Sequence, residues 1–117
     1  MQSPHNARLM FGLRPSDLEE IISILESFPQ IEEAKVFGSR AKGNYRECSD
    51  VDIALIGTQL NFDLVAKVHA LLEEQSKMPY LFDVIDYTHL SHKDLREHIE
   101  RAGIVFYKRK THITDSV

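Results

Sequence analysis

The stretch Val36-Phe37-Gly38-Ser39-Arg40-Ala41-Lys42-Gly43, followed by Ser49-Asp50-Val51-Asp52-Ile53-Ala54-Leu55, decides how this chain is read. Residues two apart on a strand point to the same side, so Asp50 and Asp52 would set two carboxylates on one face, roughly 6 to 7 Å apart. Such a pair can bracket two cations, which at about 3.5 to 4 Å from one another clamp the attacking and leaving oxygens of an in-line displacement. Magnesium, which prefers carboxylate, phosphate and water oxygens, is the expected ion. Gly38 at the end of the preceding strand lets the backbone bend tightly and bring amide groups close to a phosphate. Ser39 adds a hydroxyl, and a short helix starting there would add its leading N–H groups. Aspartate is disfavoured inside strands, so two on one face after a glycine turn call for a chemical reason.

Outward from this centre the chain alternates between two periods. Towards the N-terminus, Pro15 and the capping box Ser16-Asp17-Leu18-Glu19 predict a helix whose inner face carries Leu18, Ile21, Ile22 and Leu25 and which stops at Phe28-Pro29. Ala34 to Phe37 then reads as a strand, Ser39 to Asn44 as a short helix, Tyr45 to Ser49 as a loop and Asp50 to Ile56 as a strand closed by Gly57. Leu64, Val65, Val68, Leu71 and Leu72 mark a second amphipathic helix ending near Lys77, and Tyr80 to Tyr87 a strand rich in aromatic and β-branched residues. Ser91-His92-Lys93-Asp94 predicts another helix start, with Leu95 and Ile99 inward and Gly103 as terminator, followed by a strand over Ile104 to Tyr107. Lys108 to Val117 is polar and aperiodic and is expected to be a frayed tail. The alternation places the chain in the α/β (α+β) class, a small mixed sheet flanked by helices.

A third carboxylate lies in the later strand Leu81-Phe82-Asp83-Val84-Ile85-Asp86. If that strand neighbours the one carrying Asp50 and Asp52, Asp83 faces the same metals and can orient or deprotonate an acceptor hydroxyl. Asp86 has the opposite parity and should point to the other face.

Composition bounds the rest. With 117 residues, a single domain over 1–117 is expected, its core running from about 15 to 107. No apolar run approaches the roughly 20 residues of a membrane span, and no export signal opens the chain, so a cytoplasmic location is expected. Cys48 is the sole cysteine, which excludes an internal disulfide. The net charge of −4 argues against direct nucleic-acid binding and favours a basic protein partner.

Gly38-Ser39, ten intervening residues and Asp50-Val51-Asp52 together resemble the signature of the DNA polymerase β-like nucleotidyltransferase superfamily, and most of all its smallest members, the minimal nucleotidyltransferases. By average residue usage this spacing would arise by chance in roughly one chain of this length per thousand. The resemblance runs from the Ser16 helix to the strand ending at Tyr107. It implies two Mg²⁺ ions on Asp50 and Asp52, completed by Asp83, with ATP as substrate and its triphosphate at Gly38 and Ser39. Arg40 and Lys42 stand where the family often has basic residues, which implies neutralisation of the phosphates; the alternative is a solvated basic cluster together with Arg46. Members of this group are often antitoxins of toxin–antitoxin pairs, beside a helical HEPN-domain ribonuclease toxin. The implied activity is AMP transfer from ATP to a tyrosine hydroxyl of that toxin. Two alternatives stand beside it: an antitoxin that neutralises its partner by binding alone, and an aminoglycoside-type transferase acting on a small hydroxyl compound. A homo-oligomer and a hetero-oligomer with the toxin are both compatible with the chain.

His69 and His98 read as half-buried or exposed structural residues, and His89 and His92 as surface polar groups rather than a metal pair. Tyr80, Phe82, Tyr87, Phe106 and Tyr107 read as packing residues, since no basic stripe interleaves them.

Overall fold

The computed structural model describes residues 11–44, 50–75 and 78–110. The expected loop over Tyr45 to Ser49, with Arg46 and Cys48, and the end of the polar tail lie outside these residues. Helix α1 (Pro15–Glu26) is followed by β1 (Glu33–Phe37), the single turn α2 (Ser39–Lys42), β2 (Val51–Ile56) and α3 (Phe62–Ala70). A π-helical turn (Leu71–Gln75) extends α3, and β3 (Phe82–Asp86), α4 (Lys93–Ala102) and β4 (Ile104–Lys108) complete the order.

The four strands form one mixed sheet in the order β3-β2-β1-β4. β1 is antiparallel to both β2 and β4, whereas β2 and β3 run parallel, a pairing that needs a crossover, which α3 and its π-helical extension supply. Alternation along β2 divides the interior. Val51, Ile53 and Leu55 face a core completed by Ile21 and Leu25 of α1, Val68 of α3 and Leu72 of the π turn. Ala54 faces the other way and packs with Phe37 and with Ile99 of α4. Asp52, in phase with Ala54, therefore lies on the α4 side.

Several boundaries depart from expectation for identifiable reasons. The capping box at Ser16 does not form: Arg14 is the N-cap, Pro15 opens α1, and no side chain caps the turn. Pro15 suits the first helical position because it has no N–H to leave unsatisfied. Asp17 is instead drawn inside, where its carboxylate accepts from Arg14 Nε (2.9 Å), Arg14 Nη2 (3.1 Å) and the Tyr80 hydroxyl (2.7 Å). In α4 the cap is His92, whose Nδ1 accepts from the Leu95 N–H at 3.1 Å, one residue after the serine read as the start.

Gly103 ends α4 in extended rather than left-handed geometry, with its N–H on the Ile99 carbonyl. The regular part of α3 ends sooner than the apolar spacing suggests, because the chain widens into the π turn that carries the fully buried Leu72. The tail also begins later than expected. Lys108 belongs to β4, and Arg109 donates to the carbonyls of Ile31 (3.1 Å), Glu26 (3.0 Å) and Phe28 (3.0 Å), closing the end of α1. No helix among the described residues is long and apolar enough to cross a membrane.

Candidate active site

Asp52 stands at the centre of the site. In β2 it is paired across the antiparallel ladder with Phe37, the residue before Gly38, and across the parallel ladder with Asp83 of β3. The sheet register thus brings together a glycine bend and two carboxylates that are far apart in sequence. Asp83 shares the phase of Ile85, which packs on the α4 side, so Asp52 and Asp83 belong to the same face. Asp50 is exposed and immediately precedes β2, rather than lying within the strand as expected.

Gly38 has φ +76° and ψ −153°, a conformation open essentially to glycine alone. A Cβ built there would overlap Asp52 Oδ2, so the missing side chain is also what allows the carboxylate to lie against the bend. Ser39 begins α2 and contributes a hydroxyl and, as a leading helix residue, an N–H without an intrahelical acceptor. Lys42, at the end of that turn, is exposed.

Arg40, read in the sequence as a phosphate neutraliser or as part of a solvated basic cluster, is buried rather than solvated. It is 2 % exposed, donates from Nη1 to the Phe11 carbonyl at 2.9 Å, and lies with its guanidinium 5.2 Å from the centre of the Tyr80 ring. Alternation of side chains around a single helical turn sends Lys42 out and Arg40 under the bend. Its charge still reaches the acids.

Burial, first, and then the charges of Asp83 and Asp50 push the Asp52 carboxyl up to about 6, against the opposing pull of Arg40. The charges of Asp83 and Asp50 are therefore both felt at Asp52. Among the described residues, however, no three His, Cys, Asp or Glu side chains are gathered tightly enough to cage a metal. The donor chemistry nevertheless fits Mg²⁺, because acidic charges that raise the Asp52 carboxyl are what a divalent cation, which prefers carboxylate oxygens, would relieve.

Other polar side chains hold this frame. Asp86 accepts from the His89 N–H (3.0 Å) and from His89 Nδ1 (2.8 Å), which commits it to the turn after β3. His69 Nε2 donates to the Phe82 carbonyl at 2.9 Å, and Glu73 Oε2 accepts from the Phe82 N–H at 2.6 Å. Together they occupy the outer edge of β3 just before Asp83. His69 Nε2 also lies 3.2 Å from Glu73 Oε2, a contact that their four-residue spacing signals in the sequence.

The structure thus sets the Gly38 bend against Asp52, with Asp83 in register on the next strand and Asp50 just before β2. The family model for polymerase β nucleotidyltransferases matches residues 19–112, and the chain belongs to that family. Solved structures with the same fold include a toxin–antitoxin crystal structure with AMP-PNP, 23 % identical, TM-score 0.67, covering 85 % of this chain and 77 % of the other. A toxin–antitoxin complex MntA-HepT is 20 % identical, with TM-score 0.62 and coverage of 88 % and 78 %. A complex of tri-AMPylated Shewanella oneidensis HEPN toxin with MNT antitoxin is 20 % identical, with TM-score 0.61 and coverage of 86 % and 76 %. At these identities the likeness is one of fold. No curated protein sequence matches the chain.

Proposed function

We propose that this chain is a protein adenylyltransferase that moves AMP from ATP to a tyrosine hydroxyl of a HEPN-domain toxin and thereby acts as its antitoxin. The observation that carries the reading is the setting of Asp52, packed against the Gly38 bend and in register with Asp83. The neighbours lend support, one being bound to AMP-PNP and another being a complex of an AMPylated HEPN toxin with its antitoxin.

In this reading Gly38 and Ser39 receive the triphosphate, and exposed Lys42 offsets its charge. Arg40 supports the bend from beneath and tempers the repulsion at Asp52. Asp50, Asp52 and Asp83 would hold two Mg²⁺ ions, which when bound neutralise charge developing on the phosphates. The acceptor oxygen attacks the α-phosphorus, an O–P bond forms, the bond from that phosphorus to the bridging oxygen breaks, and pyrophosphate leaves. Asp83 accepts the hydroxyl proton, a role suited to an exposed carboxylate beside the site.

Purified chain incubated with ATP, Mg²⁺ and the HEPN partner should give a partner carrying AMP by mass spectrometry, and Asp52→Asn should abolish it. Loss of AMP transfer with full protection against the toxin in Asp50→Asn/Asp52→Asn would replace catalysis with neutralisation by binding.

A further inference from the structure

Along the outer edge of β3 runs a groove of about 280 Å³ formed with α3. Phe62, Val65, Ala66 and Val84 make its apolar walls, and His69 and Asp83 line its polar part. Phe62 is 83 % exposed, far more than a phenylalanine that only supports a core, and Leu81 just before the strand is 64 % exposed. Exposed apolar surface beside polar groups is the usual composition of a docking site.

Two observations specify the occupant. Asp83 lines the groove and is also the register partner of Asp52, so the groove and the candidate active site share this carboxylate. The flanking elements are acidic: α3, the π turn and β3 carry Asp63, Glu73, Glu74, Asp83 and Asp86 against Lys67 as their one lysine or arginine.

We infer that this groove docks the acceptor protein, by an apolar side chain seated between Phe62 and Val84 and flanked by basic residues. The inference rests on the proposed AMP transfer and deepens it by naming the surface that brings the acceptor hydroxyl to the acidic end of the sheet. One buried apolar anchor among solvated charges is the usual energetic pattern of such contacts, with charge complementarity setting approach and register.

Phe62→Ser and Ala66→Lys test it, because both residues are exposed and neither belongs to the transfer machinery. With the purified HEPN partner, each should weaken binding and raise the acceptor KM by about tenfold or more. The KM for ATP should stay within about twofold, since a groove defect removes acceptor binding alone. Glu20→Ala, exposed on α1 and lining neither the groove nor the acidic site, should change nothing.

AMP transfer by the wild type with unaltered acceptor KM in both groove variants would overturn the docking site and leave the proposed activity standing. Partner binding that needs the groove, with no AMP transfer by the wild type, would overturn the activity and leave the docking site. Loss of binding in Val105→Asp on β4, but not in the groove variants, would move the partner to the other sheet edge. Sedimentation showing a wild-type dimer that Phe62→Ser dissociates, with partner binding intact, would assign the groove to a second copy of this chain.

Discussion

Gly38 and Asp52 make one unit at the level of single residues. Gly38→Ala would place a methyl group on Asp52 Oδ2 and hold an L-residue at φ +76°, so both the bend and the carboxylate must move. We expect a loss of about 1 to 3 kcal/mol in urea unfolding, the cost of a strained backbone position. AMP transfer should fall by about 100-fold, as expected when reacting groups shift by a fraction of a bond length or more.

Asp52 itself makes the opposite kind of prediction. Its folded carboxyl is raised to about 6 from an ordinary 3.8, so the folded state disfavours the charged form. The penalty is absent below the unfolded value, grows as pH rises between the two, and is full above about 6. Asp52→Asn should therefore be more stable than wild type at pH 7, by about 1 kcal/mol once solvent screening is allowed for, and should lose that advantage at pH 3. Urea unfolding at the two pH values without metal measures the difference; equal effects at both would refute it.

Among the elements, the start of α1 is tied to the segment before β3 through Asp17. Burial works to raise the Asp17 carboxyl, but hydrogen bonds from Arg14 and Tyr80 outweigh it and hold the carboxyl below its usual range. The resulting stability is present above the unfolded value of 3.8 and is lost as pH falls through the lower folded one. Asp17→Asn should cost about 1 kcal/mol at neutral pH, because the buried carboxylate loses its charge towards the Tyr80 hydroxyl and the solvent-screened Arg14, and much less at pH 2. Tyr80→Phe should cost about 1 kcal/mol at pH 7 through the lost hydroxyl bond, while keeping the ring under Arg40. Thermal melts of both variants across pH would separate these contributions. The π turn has a comparable bracing role: it buries Leu72 and carries Glu73 to the Phe82 N–H, steadying β3 one residue before Asp83.

Across the whole molecule, a partner docked at the β3 groove as inferred above should be steered by the net charge of −4 and by the acids of the flanking elements. The association rate with a basic partner should fall several-fold between about 50 and 500 mM salt, while the dissociation rate changes little. Stopped-flow mixing at graded salt tests this; a salt-independent rate would exclude electrostatic steering. Both edges of the sheet carry exposed apolar residues, Leu81 before β3 and Ile104 and Val105 in β4, but only the β3 side also carries Asp83.

Much of the architecture was legible in local pattern. Alternation in Val51 to Ile56, helical spacing in Leu18 to Leu25 and the break at Gly38 predict elements whose observed limits differ by a residue or two. The mixed sheet flanked by helices followed from their order. Local pattern misplaced what depends on distant partners: Asp17 serves Arg14 and Tyr80 rather than a helix cap, and Arg109 closes α1 from the far end of the chain.

The sequence by itself determined the chemical inventory: a glycine bend, a hydroxyl, and acids at strand spacing, because turn preference and side-chain parity are local properties of the backbone. Tertiary structure alone decided which acid is central, that Arg40 is buried beneath the bend while Lys42 faces solvent, and that an apolar groove opens beside Asp83. Those outcomes depend on the register between strands and the packing of helices on them, and neither is encoded in any short window of residues.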